Sequence, residues 1–373
     1  MKFEIKKSIL VKAVSDVMKA ISNNSAKTIL TGVKIEASEK EIILYGTDAN
    51  VSIERIIPLI IKEKEVASVQ KVGSIVLNAK IFSEIIRKLP KDQVTIEVGD
   101  KLITKIISGK SSTKLNGLDA EEYPLFPDLK SETHFKMGVS ELKSIEAQTA
   151  FSVSTSETRP VLRGLHFVQG KEGLTVVATD SHRLSRKVLN LPGDEKSVVI
   201  PASTFVELCK VLNEPEGIVD ISISDNQILF AIPGMKFYSR LLDGNYPDTS
   251  RLIPKDFTTE IKVDAKELIG ALDRCNLLAK EGKNHIVKLE TKESYFTLTS
   301  NNQEVGVIEE EVLSEIKGEA LSISFSSKFA MDALRTLSSK EVLVKFSGAM
   351  RPFIMEDTVD HSITQLILPV KTY

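Results

Sequence analysis

Apolar and polar residues in this chain alternate over many short stretches, and helical spacing recurs in a few. The opening Met1-Lys-Phe-Glu-Ile-Lys-Lys7 alternates bulk with charge and predicts a strand, not a targeting leader. Leu10, Val14, Val17 and Ile21 then recur at helical spacing, opposite Lys12, Asp16 and Lys19. Leu268, Leu272 and Cys275 repeat that pattern much later, with Arg274 to one side. Between the helices, period-two runs predict strands over Val33–Ala37, Ile42–Tyr45, Val51–Ile57, Val94–Val98 and Leu102–Ile107. Helices covering one face of antiparallel sheets make an α+β layout.

One element occurs three times: an apolar strand, a small or polar break, then a helix with an apolar and basic end. The copies are Ile75–Leu89, Val198–Leu212 and Leu321–Leu337. Their acidic residues, Glu84, Glu207 and Asp332, lie 123 and 125 residues apart, close to one third of the 373-residue chain. That period is too long for a solenoid, so each copy is a domain. Tyr123-Pro124 recurs as Tyr246-Pro247. Leu30-Thr-Gly32 with Thr47-Asp48 recurs as Leu162-Arg-Gly164 with Thr179-Asp180, and the third copy is weaker around Ile286 and Thr299–Asn302. Proline-bearing linkers are expected at Asp119–Glu132 and Asn245–Phe257, giving domains 1–125, 130–250 and 255–373.

Composition narrows the function. The chain is 42% hydrophobic and 27% charged, as in soluble globular proteins, and without Trp it offers few stacking platforms for single-stranded nucleic acid. Cys209 and Cys275 alone build neither a disulfide framework nor a cysteine-rich zinc site. The aliphatic stretch Ile56–Ile61 is broken by Pro58 and too short to span a bilayer, so a cytoplasmic location away from membranes is expected. A net charge of −2 argues against a surface basic all over, but not against positive charge gathered on one face.

No glycine-rich phosphate loop is present, the acids are scattered, and His134, His166, His182, His285 and His361 are too dispersed for a metal site with local ligand pairs. Glu309–Glu311 reads as a solvated or interface-facing strip. The densest polar cluster, Thr179–Arg183, admits three readings. One is a catalytic group of Asp180, Ser181 and His182, although such triads are normally assembled from distant segments. Another is a hydrogen-bonded turn ending a strand. The third is a recognition surface beside Leu184. Lys12, Lys19, Lys80, Arg87, Lys88, Lys210, Arg274 and Arg335 lie on or near predicted helices. Together they suggest an electropositive face for sequence-independent phosphate contacts.

Longer motifs then carry a family resemblance. They are Lys27–Gly32, Leu115–Pro124, Phe151–Pro160, Ala178–Leu184, Ser239–Asp248, Gly348–Phe353 and Gln365–Tyr373. In this order over the whole chain, the sequence resembles the β subunit of bacterial DNA polymerase III, the DNA sliding clamp. The wording is nearest that of clamps from low-GC Gram-positive bacteria. The resemblance implies three similar domains per chain and a head-to-tail homodimer closed into a ring. It also implies a processivity factor that encircles duplex DNA without reading sequence and tethers the polymerase III catalytic subunit. Further implied partners are the clamp loader, which is the ATP-using component, and other clamp-motif proteins of replication and repair. No catalytic centre, metal or cofactor is implied.

Carried over motif by motif, the resemblance implies a pocket for short partner peptides. It comprises Leu162, Thr179, Ser181, His182, Arg183, Leu184, Pro247, Arg251, Leu252 and Met350, with the tail residues Leu366, Ile367, Leu368, Pro369 and Val370. Arg183 and Arg251 are its expected polar handles. Lys27 and Arg159 are the implied DNA contacts, Lys27 standing for an arginine usual in the Ser22–Lys27 loop. At the dimer contact, Lys110 is expected to face Glu309 and Glu310, with Leu277 and Leu278 supplying apolar area. Thr113 stands where relatives commonly carry a phenylalanine, which removes an aromatic anchor.

Overall fold

The computed structural model describes residues 1–22, 25–126, 129, 133–281 and 285–371. Asn23 and Asn24 of the expected DNA loop, part of the first linker and the final Thr372-Tyr373 lie outside the described residues.

Six α-helices occur among the described residues, two per repeat: α1 (Lys7–Val17), α2 (Ala79–Lys88), α3 (Val139–Thr149), α4 (Ala202–Val211), α5 (Ala265–Ala279) and α6 (Ser327–Leu334). The recurring strand–break–helix element takes its predicted form at Gly73–Asn78 into α2, Lys196–Pro201 into α4 and Ser322–Ser326 into α6. The polar break is a helix cap: the Asn78 side chain accepts from the Ile81 N–H at 3.0 Å, and the Ser326 hydroxyl from the Phe329 N–H at 3.4 Å. Asp264 caps α5 through the N–H groups of Lys266 and Glu267.

By contacts the chain divides into two compact units, 1–140 with 207–241, and 141–206 with 242–373. They do not coincide with the three repeats, because sheets continue from one repeat into the next. In the first unit an eight-stranded antiparallel sheet runs from Thr133–Gly138 to Gly73–Asn78 and joins repeats where Met235–Arg240 pairs with Val51–Pro58. A five-stranded sheet in the same unit has Ser111–Asn116 at one edge. In the second unit a nine-stranded sheet joins repeats where Ile363–Ile367 pairs with Arg183–Leu189, and a four-stranded sheet has Gly306–Leu313 at its edge. Alternate residues of the central strands enter the cores; in the second unit Phe353 packs on Phe325 and Phe346 with centroids 5.1 and 5.0 Å apart.

Three expectations change. Ile21 is not on the first helix: α1 tightens into a single 3₁₀ turn over Met18–Ala20, and Ile21 is extended. Asp16 is not on a solvated face. It is buried and paired with Arg55 at 3.3 Å, and burial raises its pKa against the lowering effect of Arg55. Leu102 ends a short turn with φ +60°, so the strand begins at Ile103.

Candidate functional site

The Thr179–Arg183 segment is a tight turn at the end of a strand. The Thr179 hydroxyl donates to the Arg183 carbonyl at 2.6 Å, and Asp180 Oδ1 accepts from the N–H groups of His182 and Arg183 at 2.9 and 3.0 Å. Ser181 at its apex has φ +77°. The first repeat builds the same turn from Thr47, Asp48, Ala49, Asn50 and Val51. Thr47 donates to the Val51 carbonyl, Asp48 Oδ1 accepts from Asn50 and Val51, and Ala49 has φ +79°. Alanine at the serine position and asparagine at the histidine position preserve the geometry, so its cause is the Thr-Asp pair. Among the described residues no hydrogen bond joins the Ser181 hydroxyl to the His182 ring, and the Asp180 carboxylate is engaged by backbone amides and Arg183.

Beyond the turn, Arg183–Leu189 pairs with the last strand, Ile363–Ile367, bringing Leu184 opposite Leu366. Both are buried in a small apolar cluster with Val177 and Ile354, separate from the main core. Half-buried Tyr246, Ile253, Phe257 and Leu368 pack around it. The neighbouring linker carries exposed Pro247, Arg251 and Leu252, and Met350 is 61% exposed. The result is an apolar floor with a soft, exposed rim, suited to short apolar side chains. Tyr246 stacks on His166 at 4.4 Å; burial pushes the phenol pKa up and the imidazole pKa down. The tail crosses the turn: the Leu368 N–H donates to the His182 carbonyl at 2.9 Å, and the Val370 N–H to that of Ser324 at 2.7 Å.

Two pocket expectations need revision. Arg183 is not a free polar handle. Its guanidinium donates to Asp180 Oδ2 at 3.1 Å, Asp332 Oδ2 at 2.8 Å and the Phe151 carbonyl at 2.7 Å, and it lies over the rings of Phe329 and Phe151. Arg251, by contrast, keeps a 92% exposed side chain and only a loose 3.9 Å approach to Asp248. Ile367 is buried in the core of the third repeat, on the sheet face opposite Leu366, because neighbouring strand residues point to opposite faces. Leu162 and Thr179 are buried, Ser181 and His182 are exposed, and Pro369 and Val370 are half-buried along the tail. Sequence reasoning missed Val177, Ile354, Ile253 and Phe257, and used Tyr246 only as a repeat landmark. The signal for Val177 is its place two residues before Thr179, on the same face of its strand.

Lys27 and Arg159 are both exposed and occupy matching places, each just before a 3₁₀ turn that leads into a glycine-started strand. Four of the helix-borne cations, Lys12, Lys19, Arg87 and Lys210, line one open cleft of about 470 Å³ in the first unit, with Glu207 pairing to Lys19 and Lys210. Arg274 is not free for phosphate: it holds Glu310 in a bidentate pair at 2.7 and 2.8 Å, fixing α5 to the edge strand Gly306–Leu313. Glu310 is therefore internally paired, whereas Glu309 and Lys110 are exposed. Leu277 is 56% exposed and Leu278 half-buried. Cys209 and Cys275 are buried, the Cys275 thiol pushed up to about 11 by burial. Among the described residues no group of three or more His, Cys, Asp or Glu side chains could hold a metal ion, and no helix is long and apolar enough to cross a membrane.

Family models for the DNA polymerase III beta subunit match the chain three times in sequence: the N-terminal domain at residues 1–127, the central domain at 136–248 and the C-terminal domain at 250–371. The chain belongs to the DNA polymerase III beta subunit family. It is 47% identical over 378 residues to the beta sliding clamp of Bacillus subtilis and 42% identical over 376 residues to that of Staphylococcus aureus, with both chains covered completely in each case. The crystal structure of the Bacillus subtilis DNA polymerase sliding clamp matches with a TM-score of 0.96 at 46% identity, and the Streptococcus pneumoniae DNA polymerase III beta chain with 0.96 at 37%, each over the full length of both chains. The three tandem domains, each of two helices on antiparallel sheets, are those of this family.

Proposed function

We propose that this member of the beta-subunit family is a non-catalytic sliding clamp. Two copies close head to tail into a ring around duplex DNA and tether the polymerase III catalytic subunit and other replication and repair proteins. The three domains are taken as 1–125, 130–250 and 255–373. The observation that carries the ring is two sheet edges of opposite charge that have no outer partner strand among the described residues. Ser111–Asn116, in the first domain, has Lys114 directly opposite Lys105, with Lys110 at its start. Gly306–Leu313, in the third domain, carries Glu309, Glu310 and Glu311. An open edge is a template for another strand, and two lysines facing each other favour an acidic neighbour. Joining the first edge of one copy to the third-domain edge of another is heterologous, and closes when the rotation closes. Thr113 lies on the basic edge, so apolar area is expected from Leu277 and Leu278.

Charge reversal tests this contact. Lys110→Glu is expected to weaken the dimer at least about tenfold, and Glu309→Lys in the same chain to recover most of it. Sedimentation velocity over a concentration series reads both; a monomer at every concentration in the unaltered chain contradicts the ring.

Inside a ring, topology retains DNA, so diffuse phosphate contacts suffice. The cleft of Lys12, Lys19, Arg87 and Lys210, with Lys27 and Arg159, supports that role. The clamp loader opens the ring and uses the ATP; the clamp needs no cofactor and works in the cytoplasm. Partner peptides are assigned to the Leu184–Leu366 cluster, with Arg251, Leu252 and Met350 on its rim. Leu252→Asp is expected to lower affinity for a polymerase-derived peptide about thirtyfold while leaving the melting temperature unchanged, since the residue is exposed. Unchanged affinity would reassign the peptide site.

A further inference from the structure

Each compact unit contains one seam where a strand of one repeat pairs with a strand of the repeat before it. In the second unit it joins Arg183–Leu189 to Ile363–Ile367, and in the first it joins Val51–Pro58 to Met235–Arg240. The two share one register. Leu184 faces Leu366 as Ser52 faces Tyr238, and Val177 lies opposite Arg186 as Tyr45 lies opposite Glu54. Both begin with the Thr-Asp turn described above. The adjoining linkers also correspond: Tyr123-Pro-Leu-Phe-Pro127 aligns with Tyr246-Pro-Asp-Thr-Ser-Arg-Leu-Ile-Pro254, four residues longer through Asp248–Arg251.

What differs is side-chain volume. Where the second seam has Val177, Ile253 and Leu366, the first has Tyr45, Phe126 and Tyr238. The Phe126 ring meets Tyr45 at 5.0 Å and Tyr238 at 6.0 Å, both edge to face, the favoured geometry for aromatic pairs. Tyr238 is 7% exposed and Tyr45 and Phe126 are half-buried, so three packed rings occupy the place where the second seam has only aliphatic side chains. The shorter first linker also has no counterpart of Arg251, and Ser52 replaces the apolar Leu184 in the floor.

We propose that the first seam is a duplicate of the peptide site closed by its own side chains, and that Tyr45, Phe126 and Tyr238 are the residues that limit each chain to one apolar-anchored peptide. The inference rests on the peptide-site reading above. It assigns this aromatic trio a specificity role, removing a second site that would otherwise divide partners between two places on one chain.

The test is titration calorimetry of the full-length chain with a synthetic peptide from the clamp-contacting segment of the polymerase catalytic subunit. One peptide per unaltered chain is expected, and two per chain in Tyr45→Val/Phe126→Ile/Tyr238→Leu. Phe126→Ala, at a half-buried linker position, serves as a second variant if the triple one does not fold; a second, weaker site is expected there. In a Leu252→Asp background, which disables the first-described site, the triple variant is expected to recover one peptide per chain. One peptide in the unaltered chain and still one in a folded variant overturns this inference alone. No peptide on the unaltered chain overturns the peptide-site reading and this inference with it.

Discussion

Replacing Arg183 by alanine is expected to cost about 3–5 kcal/mol of stability, the range for removing one partner from a buried ionic network. Its side chain is 11% exposed and faces Asp180 and Asp332, which are 15% and 25% exposed. Alanine would leave the Asp332 carboxylate and the Phe151 carbonyl without this donor, and would remove the cation over the Phe329 ring at 4.5 Å. Lysine keeps the charge but not the planar fork that reaches three acceptors, so Arg183→Lys is expected to restore less than half of the loss. Scanning calorimetry of the full chain reads the effect as a fall in melting temperature. A small shift combined with lost peptide binding would instead restore Arg183 as a peptide handle.

Asp357 is the second large effect. Its carboxylate accepts from the backbone N–H groups of Ser338, Ser339, Val359 and Asp360, and from the hydroxyls of Ser338 and Ser339. The residue is 1% exposed. Burial alone would raise its pKa, but hydrogen bonds led by that of the Ser339 hydroxyl outweigh burial and hold it far below the usual carboxylate range. Asp357→Ala strands several buried donors at once and is expected to cost about 3–4 kcal/mol near neutral pH. The sign with pH follows from the depressed pKa. The stabilisation is complete above the unfolded-state value of about 3.9 and is lost as pH falls below it toward the folded value. Urea midpoints of the unaltered chain and Asp357→Asn are therefore expected to converge as pH falls from about 5 to 3. A gap independent of pH would show that charge contributes nothing there.

Local pattern gave away the fold to the extent that the fold is local. The triple strand–break–helix element was legible because its apolar spacing and capping residues lie within fifteen or so neighbours. The Thr-Asp turn was visible as a motif; its structural role became plain only once Thr47–Val51 was seen to make the same bonds without serine or histidine. Buried polar residues were opaque. Asp16 reads as surface on its own helix, and only Arg55 on a distant strand explains its burial. Lys187, 4% exposed, likewise depends on Gln148, Ser362 and Asp360, whose proximity is set by the tertiary fold. At the proposed peptide site the family motif named Leu366 and Ile367 together and could not separate Leu366, which faces the small cluster, from Ile367, which faces the core. That distinction needs the register of the final strand against Arg183–Leu189. Nor does composition reveal that matching seams differ by three aromatic rings, because the linkers align only after a four-residue gap.

If DNA is held by enclosure, retention depends on an unbroken circle. The clamp is loaded onto nicked circular duplex by the clamp loader with ATP, separated from free protein by gel filtration, and the circle is then cut once. Co-elution with the circle is expected at both about 50 and 200 mM salt, where simple phosphate binding would fall steeply, and release when the circle is linearised. Equal retention on linear and circular DNA, or loss from the intact circle as salt rises, would contradict enclosure.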